Sequence, residues 1–148
     1  QYTQQLIEAT PRDALQHIHE LVDRRQQIAR CYDAAFTDIP GLTPVSVRPE
    51  VSHAYHLYVV RLDTAILGTS REKVFSSLRD QGIGVNVHYI PVHLHPFYIE
   101  HFATGPGLCP VAEAAYEQIL SLPIYPQMTD DDVSRVIEAV SLTLDSHG

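Results

Sequence analysis

Tryptophan is missing from this 148-residue chain, lysine and methionine occur once each, and cysteine occurs twice. Each scarcity excludes something. Two cysteines, Cys31 and Cys109, do not make a disulfide framework in a chain of this length; free thiols in a reducing cytoplasm are expected. No apolar run approaches the ~20 residues that span a bilayer. The opening "QYTQQLIEAT" lacks the basic region and apolar block of a secretory signal. A cytoplasmic protein without a membrane partner follows as the expectation. Basic residues number 10 against 18 acidic ones, and no basic cluster exceeds Arg24-Arg25, which reads as a solvated helical pair. That balance argues against nucleic acid as the main partner, because phosphate backbones require grouped Lys and Arg.

What is present suffices for one folded domain, with 45% hydrophobic residues. Apolar residues recur at helical spacing from Pro11 to Asp38, among them Ile18, Leu21, Val22, Ile28, Ala29, Tyr32 and Phe36. At ~1.5 Å per residue such a helix reaches ~40 Å, long enough to bridge two bodies. "LTPVSVRPE" reads as a proline-broken edge strand and "HAYHLYVVRL" (53–62) as a strand. "TSREKVFSSLRDQG" reads as a helix opened by a Thr69–Glu72 capping box, packed through Val74, Phe75 and Leu78, and closed by Gly82. "IGVNVHY" follows as a second strand, with Val85, Val87 and Tyr89 on one face and Asn86 and His88 on the other. A short helix is expected at 96–102, then a glycine- and proline-rich loop. A helix over 111–122 comes next, and a last helix capped by Thr129 packs through Val133, Val136, Ile137, Val140 and Leu144. Tyr55, Tyr58 and Tyr125 read as core or interface aromatics, and Glu113 and Glu117 as solvated. Asp130, Asp131 and Asp132 read as charges that offset a helix dipole.

The stretch "GIGVNVHYIPVHLHPFY" (82–98) concentrates the chemistry. A metal site is the first reading, since His88, His93, His95 and His101 lie close in sequence. The spacing, however, has neither paired cysteines nor HExxH. Nucleophilic catalysis is the second, but no serine sits in a GxSxG elbow and neither cysteine has a catalytic signature. Ordinary polar residues at a strand end are the bland reading. A ligand wall is the fourth: a strand running into Pro91 presents Asn86, His88, Tyr89 and His93 at the rim of a sheet, where α/β proteins bind ligands. These groups suit a hydroxylated or anionic ligand, and Tyr89 offers a stacking face.

The phrases "VHYIPVHLHPFY", "PVAEAAYEQILSLPIYPQMTDDDVSRVIEAV", "RRQQIARCYDAAF" and "SHAYHLYVVRL" resemble the C-terminal part of sugar-nucleotide aminotransferases of the DegT/StrS group. The nearest likeness is to the branch that aminates a UDP-linked 4-keto-hexose on the way to pseudaminic acid. In that branch "VHYIPVHLQPYY" recurs, so His95 and Phe97 depart from it. The resemblance covers about residues 21–140, and the first twenty match poorly. It implies an α/β (α+β) fold: the small C-terminal domain of fold-type I aminotransferases, with a small, mostly antiparallel sheet, flanking helices and a long N-terminal linking helix. Residues 1–20 would begin that helix and 21–148 would form the small domain, the large cofactor-binding domain being absent. The family uses pyridoxal phosphate bound to a lysine, with glutamate as the usual amino donor. The lone Lys73 has neighbours unlike the family's lysine motif. The resemblance therefore implies no catalytic, cofactor-binding or metal-binding residue here and no cofactor bound to this chain alone. It implies substrate contacts from Asn86, Val87, His88, Tyr89 and His93. The implied partners are a UDP-sugar, the missing large domain and, at full length, a second copy. A standalone, non-catalytic binding or regulatory module reusing the same domain is the alternative. Gln1 in place of an initiator methionine points to a cut or processed chain instead.

Overall fold

The computed structural model describes residues 11–145, and side chains from residue 17 onward. The expected start of the linking helix over residues 1–10 lies outside the described residues. Helix α1 runs Pro11–Phe36. Its Ile28, Ala29, Tyr32 and Phe36 are buried, spaced so that one helical stripe enters the core. Nearer the N-terminus the stripe continues without cover: Ile18 is exposed, and Leu21 and Val22 are half-buried.

Three strands follow, β1 (Leu42–Pro44), β2 (Tyr58–Leu62) and β3 (Ile119–Leu122), in the order β1-β2-β3 and all antiparallel. Tyr58 pairs with Leu122 and Val60 with Leu120, and these four side chains are buried beneath the helices. The alternation of a strand then sends Val59, Arg61 and Ser121 to the opposite face. Between β2 and β3 lie α2 (Thr64–Leu67), α3 (Arg71–Asp80), a 3₁₀ turn (Val92–Leu94), α4 (Pro96–Phe102) and α5 (Pro110–Gln118). Helix α6 (Asp130–Asp145) closes the fold, packing on α1 and α3. It buries Val133, Val136, Val140 and Leu144, with Ile137 packed against the core. No described helix is long and apolar enough to cross a membrane.

The mixed fold with a small antiparallel sheet is as expected, and so are two of the caps that punctuate it. Gly82, at φ +79°, ends α3 in a Schellman motif: Ile83 N–H donates to Leu78 O (2.9 Å) and Gly82 N–H to Arg79 O (2.9 Å). At α6, Asp132 N–H donates to Thr129 Oγ1 (3.1 Å), and Thr129 N–H donates back to Asp132 Oδ2 (3.0 Å). That bonding, Thr129 N–H first, holds the Asp132 carboxyl below its usual range.

Several boundaries depart from expectation. The strand over 53–62 is confined to 58–62, because Tyr55 adopts a left-handed backbone (φ 47°) that no ladder accommodates. The strand over 83–89 reduces to one bridge, Asn86 to Ser121. Val85 is buried there but Tyr89 is 70% exposed, so the two do not share a packed face. The helix over 111–122 stops at Gln118, and its last four residues are β3. Ser70, not Thr69, caps α3, its hydroxyl accepting from Lys73 N–H. Arg24 is not a solvated cation: its guanidinium donates to Met128 O (2.7 Å) and Asp130 Oδ1 (2.8 Å), tying α1 to the start of α6. Tyr125 is half-exposed and so is not a core aromatic.

Candidate substrate-contact site

The pairing of Asn86 with Ser121 builds the site. Asn86 N–H donates to Ser121 O (3.1 Å) and Ser121 N–H to Asn86 O (2.8 Å), so the extended segment after Gly82 lies along β3 as a partial fourth strand. Ser121 points away from the core, toward that segment, and its Oγ lies 2.9 Å from His88 Nδ1. On the other side of the ring, Asn86 Nδ2 lies 3.3 Å from His88 Nε2. Asn86 Oδ1 accepts from Val87 N–H at 2.8 Å. The Tyr89 ring meets the His88 ring edge-on, with centroids 4.7 Å apart, and the His88–Tyr89 peptide is cis. Asn86, His88 and Tyr89 thus form one cluster, whose aromatic member is open to solvent.

Beside it lies a cleft of about 440 Å³ lined in part by Asn86, Val87, Ile90, Arg71, Phe75 and Tyr116. The Arg71 guanidinium sits 5.2 Å from the Tyr116 ring centroid and donates to Glu72 (2.7 Å). Its Nε is buried without a partner. The volume falls within the range of small-molecule sites. Neither Arg71 nor Ser121 stood out in the sequence. Ser121 sat inside an apolar run read as helix, and only its pairing across 35 residues to Asn86 gives it meaning.

His93 is held apart from this cluster. It is buried, and its Nε2 lies 2.8 Å from Glu113 Oε1. Glu113 also accepts from Gly107 N–H (2.9 Å) and Cys109 N–H (3.2 Å), so it is a bonded hub rather than a solvated surface group. These bonds, the Gly107 N–H foremost, lower its carboxyl below the ordinary range. Thr104 donates to His93 O (2.8 Å). His93 therefore fastens the loop after α4 to the start of α5. Among the described residues, no three His, Cys, Asp or Glu side chains come together as metal ligands.

Around this region the apolar surface is uncovered. No residue of α4 is buried, and Val92, Phe97, Phe102 and Leu108 are all more than half exposed. Lys73 is exposed on α3.

The small antiparallel α/β unit thus leaves much apolar surface uncovered. The chain belongs to the DegT/DnrJ/EryC1/StrS aminotransferase family, whose pattern matches residues 6–141. It is 43% identical over 127 residues to the spore coat polysaccharide biosynthesis protein SpsC of Bacillus subtilis, covering 85% of this chain and 33% of that protein. In fold it is similar to DesV of S. venezuelae, a structure solved with a ketimine intermediate (TM-score 0.80, 32% identity, 90% of this chain and 34% of that one). It is similar also to Helicobacter pylori PseC, an aminotransferase of pseudaminic acid biosynthesis (TM-score 0.77, 28% identity, 85% of this chain and 33% of that one). The chain thus spans about a third of the relatives it matches.

Proposed function

We propose that this chain is the small-domain part of a sugar-nucleotide aminotransferase, which shapes the berth of a UDP-linked 4-keto-6-deoxy-hexose and does not itself carry the nucleophile. Pyridoxal phosphate, held on a larger domain, would supply the electron sink for amino transfer from glutamate. The observation that carries the reading is the position of the one lysine. A Schiff-base lysine must be a desolvated amine beneath a cofactor ring. Lys73 stands in solvent on α3, so this chain does not fit the cofactor's lysine, and no chemical step is assigned to its residues. Asn86, Val87, His88 and Tyr89 would line the sugar-nucleotide pocket, and His93 would hold the adjoining loop through Glu113. Two uncovered apolar regions support a covering body, either a larger domain of the same polypeptide or a second copy in a homodimer. They are the N-terminal stripe of α1 and the face of α4.

The test is spectroscopic. The purified 148-residue chain is mixed with pyridoxal phosphate and scanned for aldimine absorbance, then assayed for transamination of a UDP-4-keto-hexose with glutamate. No aldimine on the chain and no turnover are expected. A stoichiometric aldimine with turnover would overturn the reading.

A further inference from the structure

We propose that Asn86 and Ser121 together select, for the neutral His88 ring, the tautomer protonated on Nδ1, so that its Nε2 lone pair is what the site offers to a ligand hydroxyl. The use made of that lone pair rests on the substrate-pocket reading above, whereas the location of the proton does not.

The inference follows from which groups can only donate. Val87 N–H donates to the Asn86 side chain at 2.8 Å. A backbone N–H donates and does not accept, so the atom receiving it is the amide oxygen, and the orientation of the Asn86 amide is thereby fixed. The NH₂ end then faces His88 Nε2 at 3.3 Å. An amide NH₂ donates and does not accept, so Nε2 must be the bare, accepting nitrogen. A neutral ring with Nε2 bare carries its proton on Nδ1, which donates to Ser121 Oγ at 2.9 Å.

The two partners therefore have different jobs. The serine hydroxyl both donates and accepts, so Ser121 would satisfy either tautomer. What it fixes is the position of the ring, because Ser121 is 4% exposed and bonded through its backbone to Asn86 in both directions. Asn86 selects the proton. Both are positioning residues acting through His88. The 3.3 Å contact to Asn86 is long for an N–H···N bond, so a ligand O–H can replace it at a shorter distance. A phosphate oxygen has no proton to give that nitrogen. That nitrogen thus favours a hydroxyl of its ligand over an ionised oxygen.

The experiment reads the proton directly. The ¹⁵N-labelled 148-residue chain is examined by multiple-bond ¹H–¹⁵N correlation about two pH units above the ordinary imidazole value of roughly 6.5. The His88 signals are identified by their loss in His88→Gln. A pyrrole-type Nδ1 and a pyridine-type Nε2 are expected. Asn86→Asp puts a carboxylate oxygen where the NH₂ was, and is expected to invert the pattern. Ser121→Ala is expected to leave an averaged, mixed-tautomer signal, and Ser121→Thr to restore the wild-type one. A merely structural role for Asn86 would not invert the proton. A wild-type ring protonated on Nε2, or an Asn86→Asp ring unchanged, would overturn the proposal. Should Asn86→Asp fail to fold, the wild-type spectrum decides alone. Neither readout uses turnover, so its failure leaves the aminotransferase reading standing, and the reverse also holds.

Discussion

Removing one hydroxyl, in Tyr58→Phe, tests how the sheet beneath the site is held. Tyr58 Oη donates to Asp33 Oδ1 at 2.6 Å, joining the first residue of β2 to α1. Burial first, and then the bond to Asp33, push this phenol well above its ordinary value, so it remains a donor throughout the working pH range. The ring itself is 3% exposed and packs against Tyr32 with centroids 4.9 Å apart, and Phe keeps that packing. The cost is therefore the hydrogen bond alone. Bonds to charged groups contribute about 1.5–3 kcal/mol. Asp33 is only half-buried, so water can replace part of the lost donor, which puts the cost near the low end, about 1.5 kcal/mol. With a urea m-value of about 1–3 kcal/mol/M, the midpoint should fall by about 0.5–1.5 M. At roughly 2–4 °C per kcal/mol, the melting temperature should drop by about 3–6 °C. The chain has no tryptophan, so circular dichroism is the suitable probe. Truncation to Ala at the same position adds a cavity and should cost about 3–5 kcal/mol. The reasoning fails if Tyr58→Phe matches wild type, or if it costs as much as the Ala variant.

Two further outcomes follow from the same geometry. Glu113→Gln should lower the urea midpoint at neutral pH, and the gap from wild type should close in acid. The folded carboxyl titrates below its unfolded value, so its contribution is present above the unfolded value of about 4.3 and is lost as pH falls through the lower folded one; a gap constant with pH refutes this. Gly41→Ala should destabilise by more than about 1 kcal/mol in the same assay. Gly41 sits at φ +80°, and an added Cβ would lie 2.7 Å from Leu67 Cγ, so an unchanged midpoint would contradict the geometry.

The helices were legible in the sequence because their signals are local. The stripe Ile28, Ala29, Tyr32, Phe36, the Gly82 terminator and the Thr129 cap each act within a few residues. The strands were misread because strand identity here is decided by distant partners. "ILSL" continues the apolar spacing of α5, and only its ladder to Tyr58–Arg61 makes it β3. The converse error fell on 83–89, which alternates as a strand should but finds a single partner residue. For the site, Asn86, His88 and Tyr89 were visible as residue types. Glu113, read as solvated, acquires its role from three donors, His93 included, that fold onto it.

β3 carries both stability and site geometry, one on each face. Leu120 and Leu122 face the helices and Ser121 faces His88, so a single four-residue strand joins the core to the imidazole. Any slip of β3 by one residue would exchange those faces, burying the hydroxyl among the helices and leaving His88 without its partner. The Tyr32 hydroxyl opposes such a slip by donating to Pro123 O (2.9 Å), just past the end of β3. The two tyrosines that brace the sheet against α1 thus sit at the strand end from which the His88 ring is held, which makes the orientation of that ring a consequence of how the core packs.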